Sequence, residues 1–140
     1  MKLKIKKLHP DAKIPHYAHN DDAGFDLFAI QDVTLKKGER AMIPTGIAME
    51  IPSEHVGLVW DKSGLAMKHG IKTLGGVVDS QYRGEIIIGV INLSTEDYTF
   101  LKGHKVAQMI IQKKEFVDFE EVKELSDTTR GEGGFGSSGK

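Results

Sequence analysis

The feature that most restricts how this chain can fold is a succession of short apolar runs, each cut off by glycine or proline before a long helix can form. The runs fall at residues 3–8, 32–35, 40–43, 47–51, 56–60, 71–74, 85–92, 98–101 and 105–111. Turn residues separate them at Lys37-Gly38, Pro44-Thr45-Gly46, Pro52-Ser53, Ser94-Thr-Glu-Asp97 and Lys102-Gly103. Many short strands at such spacing predict an all-β barrel or double sheet. One short helix is expected at 63–69, with Ser63 as its N-cap and Gly70 as its stop. Residues 116–124 alternate imperfectly and read as a final strand.

From Ser126 to Lys140 the character changes to glycine, serine, threonine and charge, with Phe135 the only large apolar residue. Such a stretch cannot order itself by burial. The expected organisation is therefore one β-barrel domain over 1–125 and a mobile Gly/Ser-rich arm over 126–140. At 140 residues the chain is long enough for a single core.

A formal net charge of -1 gives no general attraction to a polyanion, so a nucleic-acid polymer is not the expected partner. A small anion needs only a local cluster of donors and stays open. The chain has no cysteine, which excludes disulfides and thiol chemistry. No apolar run is long enough to cross a bilayer as a helix. At the start, Leu3 and Ile5 alternate with Lys2, Lys4 and Lys6, and no apolar signal-peptide core follows, so the expected address is the cytoplasm.

Five segments carry chemistry. In the tail, Arg130-Gly-Glu-Gly-Gly-Phe-Gly-Ser-Ser-Gly139, glycines allow successive N–H groups to face one oxyanion, and Arg130, Ser137 and Ser138 add donors. The same composition also describes a flexible spacer. In Gly75-Gly-Val-Val-Asp-Ser-Gln-Tyr-Arg-Gly-Glu85, Asp79 is either a turn aspartate or a base for water, and Tyr82 is a flat face for a sugar. Asp61-Lys-Ser-Gly-Leu-Ala66 sets a lysine and a serine at a helix start, which serves as an ordinary cap or as a phosphate site. Ala23-Gly-Phe-Asp-Leu27 places Asp26 among apolar residues, and carboxylate oxygens suit magnesium, often through water. Gly103-His-Lys-Val-Ala-Gln-Met109 puts the amide of Gln108 into an apolar strand, where it needs a backbone or substrate partner. His16 and His19, beside Asp21 and Asp22, lack a third histidine at zinc-ligand spacing and read as surface residues.

In this order and spacing the five segments resemble the five motifs of the trimeric dUTPase family. The resemblance runs over nearly the whole chain, and Val78-Asp-Ser-Gln-Tyr-Arg-Gly84 and Gly133-Gly-Phe-Gly-Ser-Ser-Gly139 are its most specific parts. It implies a distorted jelly-roll subunit of the β-clip type, a homotrimer with shared interface sites, and an arm that closes over a neighbouring subunit's site. It also implies Mg2+-assisted hydrolysis of dUTP to dUMP and pyrophosphate, which limits uracil in DNA and supplies dUMP. Asp79 would be the general base for water attacking the α-phosphorus. Tyr82 would pack on the deoxyribose and exclude a 2′-hydroxyl. Backbone at Gly75, Gly76 and Val78 would read the uracil edge. Lys62, Ser63, Gly64 and Gln108 would hold phosphate oxygens or the water. Arg130, Gly136, Ser137 and Ser138 would close on the substrate while Phe135 stacks on uracil. Asp26 would orient water on a magnesium ion held mainly by the triphosphate.

The chain departs from the family pattern in places. Lys62 stands where arginine is usual, losing the bidentate fork. Asp61 stands where proline is frequent, and its adjacency suggests an ion pair with Lys62. His104-Lys105 replaces a common aspartate-arginine, a change expected to affect packing. The related dCTP deaminases share the fold, but they need a glutamate where this chain has Gly89, so deamination lacks its acid/base group. A non-catalytic nucleotide-binding module on the same fold is the other alternative.

Overall fold

The computed structural model describes residues 1–134, so Phe135, Gly136, Ser137 and Ser138 lie outside the described residues. Eleven strands and one helix follow in chain order among the described residues: β1 Lys4–Lys7, β2 Phe25–Phe28, β3 Val33–Leu35, β4 Arg40–Pro44, β5 Ile47–Glu50, β6 His55–Trp60, α1 Ser63–His69, β7 Ile71–Leu74, β8 Val77–Val78, β9 Ile87–Asn92, β10 Tyr98–Phe100 and β11 Lys105–Lys113. They form four small sheets, ordered β1-β5, β10-β3, β2-β11-β6-β8 and β4-β9-β7. Every pairing is antiparallel, and the sheets wrap one core as a distorted jelly-roll barrel. Leu27, Leu35, Ile43, Val90, Phe100 and Met109 are fully buried in that core.

Burial alternates cleanly in β7 and β9. In β9 the burial pattern turns over at every residue, with Ile88, Val90 and Asn92 inward. β2 breaks the rule, since Phe25, Asp26, Leu27 and Phe28 are all buried. A strand covered on both faces carries no period-two signature, and β2 is legible in sequence only as a motif. The two-residue β8, pairing with β6 through Gly57 and Leu58, escapes sequence reading for its brevity.

Two expectations need correction. The final strand expected at 116–124 is absent; the segment is irregular, and Phe119 is 95% exposed. Among the described residues its imperfect alternation has no partner strand to pair with. The helix occupies the expected span and ends at Gly70 in the left-handed region, but Ser63 is its first helical residue. Lys62 is the extended residue at the cap, with no side-chain capping bond. The lysine is thereby held at the entrance to the helix.

Candidate active site

Three neighbouring strands place one row of residues side by side. Asp26 of β2 lies opposite Gln108 of β11, and Gln108 lies opposite Trp60 of β6. Beyond Trp60 the chain turns through Asp61 and Lys62 into α1. The Gln108 Nε2 donates to the Asp61 carbonyl at 2.8 Å, so the amide in the apolar strand has a backbone partner. Gln108 also lines a cleft of about 330 Å³, together with Lys62, Ser63, Gly64, Lys68 and Lys105.

Asp26 is 2% exposed, yet ionised. Burial alone would raise its pKa, but the ammonium groups of Lys105 and Lys62 against its oxygens outweigh that and hold it below the usual carboxylate range. Lys62 Nζ donates to Oδ1 at 2.5 Å. Lys105 Nζ sits 2.6 Å from Oδ2, an ion-pair contact off the angle of an ordinary hydrogen bond. Both carboxylate oxygens are therefore engaged by ammonium groups.

The expected Asp61–Lys62 pair does not form. One Asp61 oxygen accepts the Thr73 N–H at 2.7 Å and the Thr73 hydroxyl at 2.6 Å, and the other accepts Lys72 Nζ at 2.8 Å. β7 offers Asp61 three donors, whereas Lys62 turns the other way to the buried carboxylate that it shares with Lys105. Lys62 is free of Asp61 but bound to Asp26.

A second cleft, of about 310 Å³, is lined by Val59, Gly76, Val78, Asp79, Tyr82 and Glu85 among others. Gly76 has φ 114°, and a side chain there would meet the Val59 carbonyl at 2.8 Å. Only glycine lets this backbone close on β6, where its own carbonyl accepts the Val59 N–H at 2.8 Å. A turn follows, in which Tyr82 N–H donates to the Asp79 carbonyl at 3.1 Å. The Tyr82 ring folds back over Gly84, and its hydroxyl donates to the Glu85 carbonyl at 3.0 Å. The Asp79 carboxylate is exposed and makes no ion pair among the described residues.

Thus Lys62, Ser63, Gly64 and Gln108 come together at one cleft, and Gly76, Val78, Asp79 and Tyr82 at another. Gly75 lines a smaller hollow beside Trp60, Thr73 and Gly76. These two clefts share no lining residue, and a wider hollow of about 800 Å³ that also has Asp79 and Tyr82 in its wall does not reach Lys62, so among the described residues Asp79 and Lys62 share no pocket of one chain. Arg130 is exposed, its Nε donating to the Gly133 carbonyl at 2.8 Å. Sequence reasoning missed Lys105 as part of the cation cluster and Thr73 as the anchor of Asp61. Gly89 lies within β9, where an added side chain would come 3.1 Å from the Leu74 carbonyl. The position has no ready space for the deaminase glutamate.

A β-barrel with a Lys-Ser-Gly turn in one cleft and a carboxylate–tyrosine turn in another fits the class of nucleotide hydrolases. The dUTPase family model matches residues 10–139. A deoxyuridine 5'-triphosphate nucleotidohydrolase of Nautilia profundicola is 50% identical over 142 residues, covering 100% of each chain. A Staphylococcus bacteriophage 80alpha dUTPase mutant with dUpNHpp superposes with a TM-score of 0.94 at 29% identity, covering 99% of each chain. The dUTPase of S. aureus phage phi11, described with a structural Mg(II) ion, gives 0.85 at 25% identity, covering 91% of this chain and 100% of its own. The chain belongs to the dUTPase family.

Proposed function

We propose that this chain hydrolyses dUTP to dUMP and pyrophosphate as a cytoplasmic homotrimer, with Asp79 as the general base. The observation that carries the reading is the turn that sets the exposed Asp79 carboxylate and the Tyr82 ring in one cleft, apart from the Lys62–Gln108 cluster. Two half-sites without a common wall on one chain are completed when a neighbouring copy brings its phosphate half against the nucleoside half. A cyclic trimer does this three times over.

In the assembled site Asp79 takes a proton from water as the water oxygen bonds to the α-phosphorus. The bond to the α–β bridging oxygen breaks, and pyrophosphate leaves with that electron pair. Tyr82, fixed by its bond to Glu85, presents its ring to the deoxyribose and leaves no space for a 2′-hydroxyl. Backbone at Gly75, Gly76 and Val78 reads the uracil edge. Ser63, Gly64 and Gln108 position phosphate and water. Residues 126–140 act as an arm over the site, with Arg130, Gly136, Ser137 and Ser138 on the phosphates and Phe135 on the base.

Among the described residues no three of His, Cys, Asp and Glu converge to cage a metal. That suits a magnesium ion carried by the triphosphate, which keeps most of its water. Asp26 would meet that water shell once an ammonium turns from it towards phosphate. When bound, magnesium supplies neutralisation of the charge that develops on the departing pyrophosphate.

The test is pyrophosphate release from dUTP, dCTP, dTTP and UTP with magnesium, for the wild type and Asp79→Asn. Release confined to dUTP and lost in the variant is the expected result. A folded wild-type protein that releases nothing from any of the four returns the chain to the binding-module reading. Ammonia from dCTP would make it a deaminase.

A further inference from the structure

Lys105 and Gln108 are three residues apart on β11, a spacing that in a regular strand puts them on opposite faces. The register against β2 shows otherwise. Gln108 pairs with Asp26 and Ala107 with Leu27, but Lys105, not Val106, pairs with Phe28. One extra residue is thus inserted in β11 between Lys105 and Ala107, a β-bulge. Asp26 and Phe28 share a face of β2, so their partners Gln108 and Lys105 share a face of β11. The bulge re-aims Lys105 into the cleft that holds Lys62, Ser63, Gly64 and Gln108.

There the two lysines occupy opposite oxygens of one buried carboxylate. The trio carries a net charge of about +1 at the cleft wall, by ordinary ionisation states. The Lys105 and Lys62 side chains are 43% and 26% exposed, so each can swing outward, whereas Asp26 at 2% cannot follow. Lysine lacks the planar fork by which a guanidinium grips two phosphate oxygens. Two ammonium groups fixed side by side restore a two-point grip. Lys68 and His69 also line the cleft, but neither contacts Asp26.

We propose that Lys105 is a second triphosphate-binding cation of this site, presented beside Lys62 by Asp26, which serves both as a positioning residue. The inference rests on the cleft being the phosphate half of the dUTP site. On arrival of the triphosphate at least one ammonium exchanges its Asp26 oxygen for a phosphate oxygen. Because they share one counter-ion, the two lysines act as a coupled pair.

The experiment measures dUTP hydrolysis, and separately the binding of dUpNHpp and of inorganic tripolyphosphate, for wild type, Lys105→Met, Lys105→Arg, Lys62→Met and Lys62→Met/Lys105→Met. Lys105→Met is expected to weaken tripolyphosphate and dUpNHpp binding about ten-fold or more, the size of one charge-assisted hydrogen bond, and to raise KM more than it lowers kcat. Lys105→Arg should bind within a few-fold of wild type. The double variant should depart from the product of the single effects, and the binding should lose part of its salt dependence. If Lys105→Met melts below the assay temperature, Lys105→Met in an Asp26→Asn background carries the same comparison. Wild type that turns over dUTP while Lys105→Met binds tripolyphosphate unchanged overturns the proposal and leaves the dUTPase reading intact. Wild type that turns over no dUTP removes the dUTPase reading instead. Tripolyphosphate binding that still depends on Lys105 would then keep the cation pair.

Discussion

A single carboxylate oxygen of Asp61 accepts both the backbone N–H and the hydroxyl of Thr73. Through this contact, and through its carbonyl bond to Gln108, Asp61 ties the phosphate turn to β7 and β11 together. Asp61→Ala leaves the Thr73 N–H without its acceptor, and Thr73 is a buried residue. The expected loss is about 1–3 kcal/mol of stability, because a buried donor loses its partner. Thr73→Val removes only the hydroxyl bond and should cost less. Chemical denaturation gives both numbers, and a raised KM for dUTP in Asp61→Ala would show that Lys62 and Gln108 have lost their alignment.

Gly84 lies under Tyr82, and a Cβ at this position would collide with the tyrosine hydroxyl and ring. In Gly84→Ala the ring must leave the Glu85 carbonyl and tilt into the cleft. Its capacity to exclude a ribose should fall, so the ratio of kcat/KM for dUTP over UTP is expected to drop by about ten-fold or more, in keeping with the loss of a steric wall. Tyr82→Phe keeps the ring and should retain most of the ratio. Parallel assays on the two nucleotides decide it, and an unchanged ratio in Gly84→Ala would rule out Tyr82 as the sugar gate.

The Asp26 carboxyl has a folded pKa below its ordinary 3.8. A depressed carboxylate contributes stability that is fully present above the unfolded pKa and is lost as pH falls through the folded one. Melting temperatures of the wild type should therefore fall on acidification below about pH 3.8. Asp26→Asn should be less stable at neutral pH, by about 2–4 kcal/mol, since two ammonium groups lose their shared partner but stay in contact with water. Its melting temperature should also change less over the acid range. A wild-type curve parallel to that of the variant would show that the trio contributes no pH-linked stability.

Removing residues 126–140 takes away Arg130 and the Gly/Ser segment, and no described residue of that stretch belongs to the core. The truncated chain should melt within a degree or two of the full chain, since residues 126–132 are exposed and add little to folding stability. Its kcat/KM for dUTP should fall by about 10²-fold or more, through lost closure over the site. Calorimetry beside a turnover assay separates the two effects. Full activity without the segment would deny it any part in the reaction.

How far the sequence is legible depends on which physical rule writes each residue. Where one face meets water, as in β1, alternation marks the strand: Leu3 and Ile5 pack on the core while Lys2, Lys4 and Lys6 are exposed. Where both faces are buried, as in β2, the same rule is silent, although Phe25-Asp-Leu-Phe28 still stands out as a motif. Lys62, Ser63, Gly64 and Gln108 gather at one cleft because register places them there, and motif order was enough to suggest it. The partner of Asp61 was not readable, since adjacency favours Lys62 while the three donors come from β7, about ten residues downstream in a strand whose register only the fold sets. The strand expected at 116–124 failed for the converse reason: alternation without a mate does not make a sheet.

The extra residue in β11 separates chain length from side-chain direction at this cleft. Changing Val106 to another apolar residue leaves the count intact, and Lys105 still emerges beside Gln108. Deleting it closes the bulge: Lys105 keeps Phe28 as its partner and, now two positions from Gln108, still shares its face, while the core loses a buried valine. Heredity can thus take one residue from this strand and keep its inside and its outside where they are.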